Sequence, residues 1–341
     1  MGLQKIGLTP RVHGVGGMVS FRNKLTEGLA RRGIAASDDL SASDLDVVLV
    51  IGGTRSLGRL AGLRRRGVPI VQRLNGMNWL HRRMRTGLRH WLRAETGNML
   101  LNLIRSRLAD RIVYQSHFAR DWWQQEYGDA PASNVVIHNA VDLQRYQPGG
   151  PHERPQDFLR ILLVEGSLQG GYEVGLQNAV SLAARLRSDH GLDVRLSVAG
   201  QVAPEVRERF PGEQPVQVEW LGLVPAQEIP QLDRSAHLLF SADLNAACPN
   251  SVIEALACGL PVAAFATGAL PEMVDADSGA IAPYGGDPWQ LEPPDITTLA
   301  GQAAKVLTHQ TSFRQGARER AIALFDLEAM VDRYLAVLDQ I

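Results

Sequence analysis

Short apolar runs dominated by Val, Ile and Leu recur along this 341-residue chain, separated by longer stretches that carry the apolar period of helices. Strand-like runs that alternate with helical stretches build parallel sheets, because a parallel neighbour is reached only through a crossover. Two such series are present. In the first, the strand-like segments are Gln4 to Leu8, Asp46 to Ile51, Pro69 to Arg73, Arg111 to Gln115 and Val135 to His138. Between the first two, Met18, Phe21, Leu25 and Leu29 form a helical stripe that ends at Gly33. In the second series they are Arg160 to Val164, Asp193 to Ala199, Val216 to Leu221, His237 to Ser241 and Pro261 to Phe265.

Pro148-Gly149-Gly150-Pro151-His152-Glu153-Arg154-Pro155 has no apolar period and separates the two series as a linker. The expected organisation is a Rossmann-like α/β domain over 1–148, a linker over 149–158 and a second Rossmann-like domain over 159–324. A terminal helix over 325–341, with Met330, Tyr334, Leu335 and Leu338 on one face, is free to cross back to the first domain. Open sheets of this type bind ligands beyond the carboxyl ends of their strands, so two of them facing a central cleft make a cleft enzyme the leading class. A content of 45% apolar and 21% charged residues excludes a disordered or fibrous chain.

Cys248 and Cys258 are too few for a disulfide framework, and no His/Cys cluster has metal-ligand spacing. The N-terminus lacks the charged leader and apolar core of a signal peptide, and no run of about 18 apolar residues occurs. A cytoplasmic protein is expected. A net charge of −1 conceals fifteen arginines between Arg55 and Arg120, against only Glu95 and Asp110. This segment reads either as a surface for anionic lipid or another polyanion, peripheral to the inner face of a membrane, or as a solvated helical face. No nucleic-acid-binding motif or aromatic platform accompanies it.

Cys248-Pro249-Asn250-Ser251-Val252-Ile253-Glu254-Ala255-Leu256-Ala257-Cys258-Gly259-Leu260-Pro261-Val262, followed by Thr267-Gly268-Ala269-Leu270-Pro271-Glu272, closely resembles the donor-site signature of family-four glycosyltransferases. Gly14-Val15-Gly16-Gly17, His138-Asn139-Ala140-Val141-Asp142 with Tyr146 and Pro148, Val198-Ala199-Gly200, Trp220-Leu221-Gly222 and Phe325-Asp326-Leu327-Glu328 occur in matching order. The resemblance implies the two-domain GT-B fold. It implies transfer of a sugar from a UDP- or GDP-linked donor to a glycan or lipid-linked acceptor, with retention of configuration and with no metal or cofactor. Bacterial cell-surface polysaccharide or glycolipid synthesis is the implied setting.

Local chemistry supports a donor site. Asn250 or Ser251 suits an N-cap, and Gly259 suits the left-handed closing position, so a helix N-terminus rich in N–H groups would face the cleft. The Thr267-Gly268 turn, Gly200 and Gly222 are further places where backbone could approach a diphosphate or sugar hydroxyls. By resemblance, Glu254 hydrogen-bonds the nucleotide ribose. The structural alternative is a capping box, since Ser251 and Glu254 stand three residues apart. Gly16 and Gly17 form either an approach to ligand or a tight turn. The full dinucleotide fingerprint is missing because Gly14 to Val19 lacks its last glycine. Asn75 is either a sugar contact or the first half of an Asn-Gly turn. His13 and His81 are further polar residues that could line a cleft.

Three departures bear on mechanism. Relatives carry an Arg and, five residues on, a Lys that neutralise the leaving diphosphate, whereas here the segment reads Glu165-Gly166-Ser167-Leu168-Gln169-Gly170-Gly171-Tyr172. Ala246 stands where a donor-sugar carboxylate is usual, and Ala269 where a second glycine is common. A neutral anion site made by the amides of Gly166, Gly170 and Gly171 with the hydroxyls of Ser167 or Tyr172, helped by Arg11, is the expected replacement. No carboxylate spacing identifies a general base. The competing readings are a non-catalytic GT-B homologue that binds a nucleotide-sugar or a partner glycosyltransferase, and a hydrolase or epimerase on the same fold.

Overall fold

A computed structural model describes residues 2–14, 16–85, 87–168, 173–210 and 216–340. The chain forms two compact units, Met1–Ala140 together with Leu327–Ile341, and Val141–Asp326.

The first unit runs β1 (Lys5–Thr9), α1 (Gly17–Arg31), β2 (Ala35–Ser37), β3 (Val47–Ile51), α2 (Leu57–Arg65), β4 (Ile70–Leu74), α3 (Leu88–Arg107), β5 (Arg111–Tyr114), α4 (His117–Tyr127) and β6 (Ser133–Val136). Its sheet is parallel, in the order β2-β1-β3-β4-β5-β6. Every residue of β3 and β4 is buried, as expected of parallel strands covered on both faces. Phe21, Leu25 and Leu29 on α1 enter the core at four-residue spacing, while Met18 at the head of that stripe is exposed. Gly33 takes φ 72 and its N–H donates to Ala30, which ends the helix at the expected place.

The second unit runs β7 (Leu159–Ser167), α5 (Glu173–His190), β8 (Val194–Gln201), α6 (Pro204–Arg207), β9 (Val218–Gly222), α7 (Ile229–Ser235) and β10 (Leu238–Phe240). It continues through α8 (Asn250–Ala257), β11 (Val262–Phe265), α9 (Leu270–Met273), β12 (Gly279–Ala282), α10 (Ile296–Thr308) and α11 (Gln310–Leu324). The parallel order β12-β11-β10-β7-β8-β9 is the dinucleotide-fold order, with its reversal between β7 and β10. Ile161, Leu163, Leu196, Val198, Leu238 and Phe240 meet the apolar faces of α5 and α10 on one side of the sheet.

The division falls at Ala140 rather than at 148, because residues 143–148 are fastened to the second unit. Arg318 donates to the carbonyls of Leu143, Tyr146 and Ala257, and the Tyr146 hydroxyl reaches the Ala226 carbonyl at 3.4 Å. The last helix, α12 (Leu327–Asp339), belongs to the first unit and packs on α1. Gly28 makes room for it: a Cβ there would lie 2.4 Å from Val331 Cγ2. Arg32 pairs with Glu328 and Asp332 at 2.8 and 2.6 Å along the same seam.

Candidate functional site

The carboxyl end of the second sheet gathers the polar groups of the donor signature. β7 and β10 are neighbours at the reversal of strand order, which is where doubly wound sheets open a crevice. β7 runs on through Ser167, three residues past its expected end, with a register shift against β8 between Val164 and Ser167. Gly166 and Ser167 are therefore strand residues, both exposed, rather than members of a loop. Gly170, Gly171 and Tyr172 of the expected anion site lie outside the described residues. Gly200 lets β8 approach: a Cβ at this position would stand 2.3 Å from the Glu165 carbonyl oxygen. Gly222, at φ 68, ends β9 with open space about it.

Glu165 ends the apolar run of β7 and Asp243 follows β10, close enough for the Asp243 charge to bear on Glu165. Burial, and then the charge of Asp243, pushes the Glu165 carboxyl up to about 8, and burial pushes Asp243 up to about 7. Both side chains are half-buried, and neighbouring acids disfavour each other's ionisation. Asp243 sits in the 241–249 loop that leaves β10 and delivers α8. On that loop Ser241 Oγ and Asn245 Nδ2 are buried with no hydrogen-bond partner among the described residues, and Asn245 adopts φ 57.

α8 begins two residues earlier than the Ser251/Glu254 capping box requires. Pro249 occupies the N-cap position at φ −69 and ψ 122 and supplies no side-chain cap. The Ile253 N–H donates to the Pro249 carbonyl at 3.4 Å, so Asn250 and Ser251 are already helical. This corrects the expectation of Asn250 or Ser251 at the cap. Glu254 then lies in the second turn, beyond the third helical position that a capping box uses. The side chain is half-buried, and its charge is felt by Asp233 and Tyr146. Asp233, almost fully buried on α7, is pushed well above the ordinary carboxylate range by burial first and by Glu254 second. Gly259 closes the helix at φ 68, as the sequence predicts.

The Thr267-Gly268 turn braces the 241–249 loop. The Ala269 N–H donates to the Ala246 carbonyl at 2.8 Å, and the Asn245 N–H reaches Thr267 Oγ1 at 3.5 Å. Gly268 adopts φ 59, and a Cβ there would lie 2.6 Å from both the nitrogen and the oxygen of Ala246. Ala269 takes φ −82, which alanine adopts without strain, so the departure at that position is structurally neutral.

In the first unit, Gly16 (φ 130) and Gly17 are exposed at the start of α1, beyond the carboxyl end of β1 and at the β1/β3 reversal. Arg11, also exposed, lies 3.4 Å from Asp38. His13 is exposed. Asn75 forms no Asn-Gly turn. Its Oδ1 accepts from Arg73 at 2.7 Å, its carbonyl accepts from the Trp123 indole at 2.8 Å, and the Gln115 amide abuts it. Arg73 also reaches Asn139 at 2.7 Å and stacks over Phe21, so Asn75 belongs to a buried polar network under the strand ends. His81 is buried against Glu95 at 2.8 Å and has no access to a ligand.

The regions 160–309 and 6–145 match the models described as "Glycosyl transferases group 1" and "Glycosyltransferase Family 4". The chain belongs to glycosyltransferase family 4. Among the relatives of this family-4 chain, a D-inositol 3-phosphate glycosyltransferase of Catenulispora acidiphila is 28% identical over 82% of this chain and 69% of its own length. A GDP-mannose-dependent α-(1-6)-phosphatidylinositol dimannoside mannosyltransferase of Mycobacterium tuberculosis is 32% identical over 51% of this chain and 45% of its own. The Anabaena HepE protein, solved with UDP-glucose, superposes with a TM-score of 0.71 at 15% identity, covering 99% of this chain and 100% of that one. The fold is therefore the GT-B type.

The fifteen-arginine segment of this family-4 chain does not form one face. Arg73 and Arg105 are buried, the latter donating to the Tyr114 hydroxyl and the Gly128 carbonyl. Arg82 is bound to Glu95 and Glu126, and Arg64 lies beside Asp110. Among the described residues, no helix is long and apolar enough to cross a membrane.

The Glu165–Asp243 pair escaped sequence reasoning. Glu165 was visible as the residue after an apolar run, but nothing in linear spacing ties it to a loop on the far side of three intervening elements of the sheet.

Proposed function

We propose that this chain is a glycosyltransferase that moves a sugar from a nucleotide-diphosphate donor, UDP- or GDP-linked, to a glycan or lipid-linked acceptor with retention at the anomeric carbon. The reading places it in the cytoplasm, in peripheral contact with an anionic membrane through part of the 55–120 region. The observation that carries it is the register of α8, which takes Glu254 out of a capping role and aims the helix N-terminus at the strand-end loop. Asn250 and Ser251 then present backbone N–H groups to the donor, and Glu254 presents its carboxylate to the ribose. The M. tuberculosis relative is named for GDP-mannose, and HepE was solved with UDP-glucose, which supports a nucleotide-sugar donor.

In this reading Glu165 and Asp243, whose carboxyls are pushed upward, hold a proton between them and offer a hydroxyl donor in the region where other members place cations. That arrangement supports hydrogen bonding to a sugar or phosphate oxygen. It supplies less charge stabilisation to a leaving diphosphate than a cation pair, and such stabilisation is commonly the largest catalytic contribution. The pair therefore also favours a second reading, a nucleotide-sugar-binding homologue without turnover. Calorimetric titration with UDP, GDP, ADP and CMP, followed by product analysis with the matching sugar donors and an acceptor panel, tests both. Selective binding with a new glycoside of retained configuration establishes the enzyme. Selective binding without product establishes the homologue, and binding of none of the four refutes both.

A further inference from the structure

The outer face of α3 carries features that the donor site does not use. Nine large apolar side chains are exposed among the described residues, and five of them, Leu88, Trp91, Leu92, Met99 and Leu103, lie on this one helix. Leu88 is 74% and Met99 64% exposed. At about 100° per residue, Leu88, Leu92, Met99 and Leu103 fall within about 60° of one another, and Arg89, Arg93 and Arg107 occupy the adjoining strip. The opposite side, Ala94, Asn98, Ile104 and Arg105, is the one that enters the fold. From Gly87 to Arg93 every residue is exposed, and among them His90 and Trp91 set their rings 6.3 Å from that of buried His81.

The charges on this helix and in the segment just before it are unbalanced. Arg83, Arg85, Arg89 and Arg93 are exposed and have no ion pair among the described residues. The one carboxylate on the helix, Glu95, is turned inward. The Arg82 guanidinium, joined by His81, holds it down to about 2. An exposed apolar strip beside a run of unpaired arginines is costly against water, and it complements a surface that is apolar below and anionic above.

We propose that the N-terminal turns of α3 are an interfacial anchor, with Leu88, Trp91 and Leu92 inserting among the acyl chains of an anionic bilayer while Arg85, Arg89 and Arg93 meet the phosphates. The inference deepens the lipid-linked acceptor reading and rests on it for its purpose, but not for its test. An anchor on the first unit keeps that unit at the surface where a lipid-linked acceptor resides. Each arginine near such a surface contributes about fivefold to partitioning, and the apolar insertion adds a part that salt does not screen.

The test is sedimentation of the full chain with vesicles of phosphatidylcholine alone or mixed with phosphatidylserine, at low and high salt. Leu88→Ser/Trp91→Ser/Leu92→Ser and Arg89→Glu/Arg93→Glu are compared with the parent, and nucleotide titration of each variant reports that the second unit is intact. The expected result is binding to the anionic vesicles only, weakened more than tenfold by either set, with nucleotide affinity unchanged. Absence of binding at low salt overturns the proposal. So does unchanged binding by the apolar variant, or a fall from dimer to monomer in light scattering that shows the strip to be covered by a second copy. Loss of nucleotide binding in the parent would instead sink the donor-site reading and leave this one standing.

Discussion

Removing the Glu254 carboxylate separates a ligand contact from a structural one, because the two make opposite demands on the same side chain. In a capping box the carboxylate accepts from a backbone N–H at the helix start, and deleting it costs about 0.5–2 kcal/mol of stability. The α8 register places Glu254 past the position from which that bond is made. Its loss should therefore not carry the cost of a lost cap, which in a chain of this size would lower melting by several degrees, at about 2–4 °C per kcal/mol. A charged hydrogen bond to a ribose hydroxyl contributes about 1.5–3 kcal/mol, so Glu254→Ala should weaken the preferred nucleoside diphosphate by roughly 10- to 150-fold. Glu254→Gln keeps an acceptor without the charge and should lose less. The assays are calorimetric titration and thermal melting of the same preparations. A melting temperature lowered by several degrees with nucleotide affinity intact would refute the reasoning and return Glu254 to a capping role.

Three further outcomes follow from the geometry. Gly28→Ala drives a methyl into Val331 across α1 and α12 and should cost about 1–3 kcal/mol by chemical denaturation, and Gly28→Ala/Val331→Ala should recover most of it; equal losses in both would show that the seam is not where the strain arises. Gly268→Ala combines a left-handed φ with a backbone approach of 2.6 Å, so it should lower stability by more than the roughly 1–2 kcal/mol of the conformation alone, and a variant as stable as the parent would contradict that turn. Glu165 and Asp243 hold their protons more tightly folded than unfolded, so their contribution is full below about pH 4 and is lost as pH rises through about 7 to 8. Asp243→Asn should flatten that decline in melting temperature, and an unchanged pH slope would show that the two acids do not interact.

Most of the fold was legible because it rests on two periods. The buried runs VVLVI and IVQRL announced parallel strands, and the spacing of Phe21, Leu25 and Leu29 announced the helix that covers them. What the sequence underplayed are elements whose stabilisation comes from neighbours. β2 has only three residues, two of them exposed, and is held by pairing to β1. β12 reads as Gly-Ala-Ile-Ala and becomes a strand because β11 offers it a register. Met18 fitted the stripe of α1 yet lies at a helix end where the sheet no longer covers it. The boundary between units was drawn at the proline-rich stretch, but three carbonyls caught by Arg318 decide where residues 143–148 belong.

The site was legible where it is local and hidden where topology makes it. The run from Cys248 to Val262 contains its own helix and its own closing glycine, so both could be read from adjacent residues. Even there the cap lies one residue before Asn250 and two before Ser251, because proline accepts the extended N-cap conformation as readily as asparagine or serine while contributing no side-chain bond. Asn75 has the composition of a sugar contact, but its oxygen is taken by a buried arginine two residues away along the same strand end. The pairing of Glu165 with Asp243 depends on β10 returning to the side of β7 opposite β8, and that return is a property of strand order alone. A single residue after a strand is unremarkable in sequence; two acids brought near each other at the reversal of a sheet bear on one another's ionisation. Substitutions at either acid should therefore move the titration of the other, which is how a contact made by topology differs from two independent surface charges.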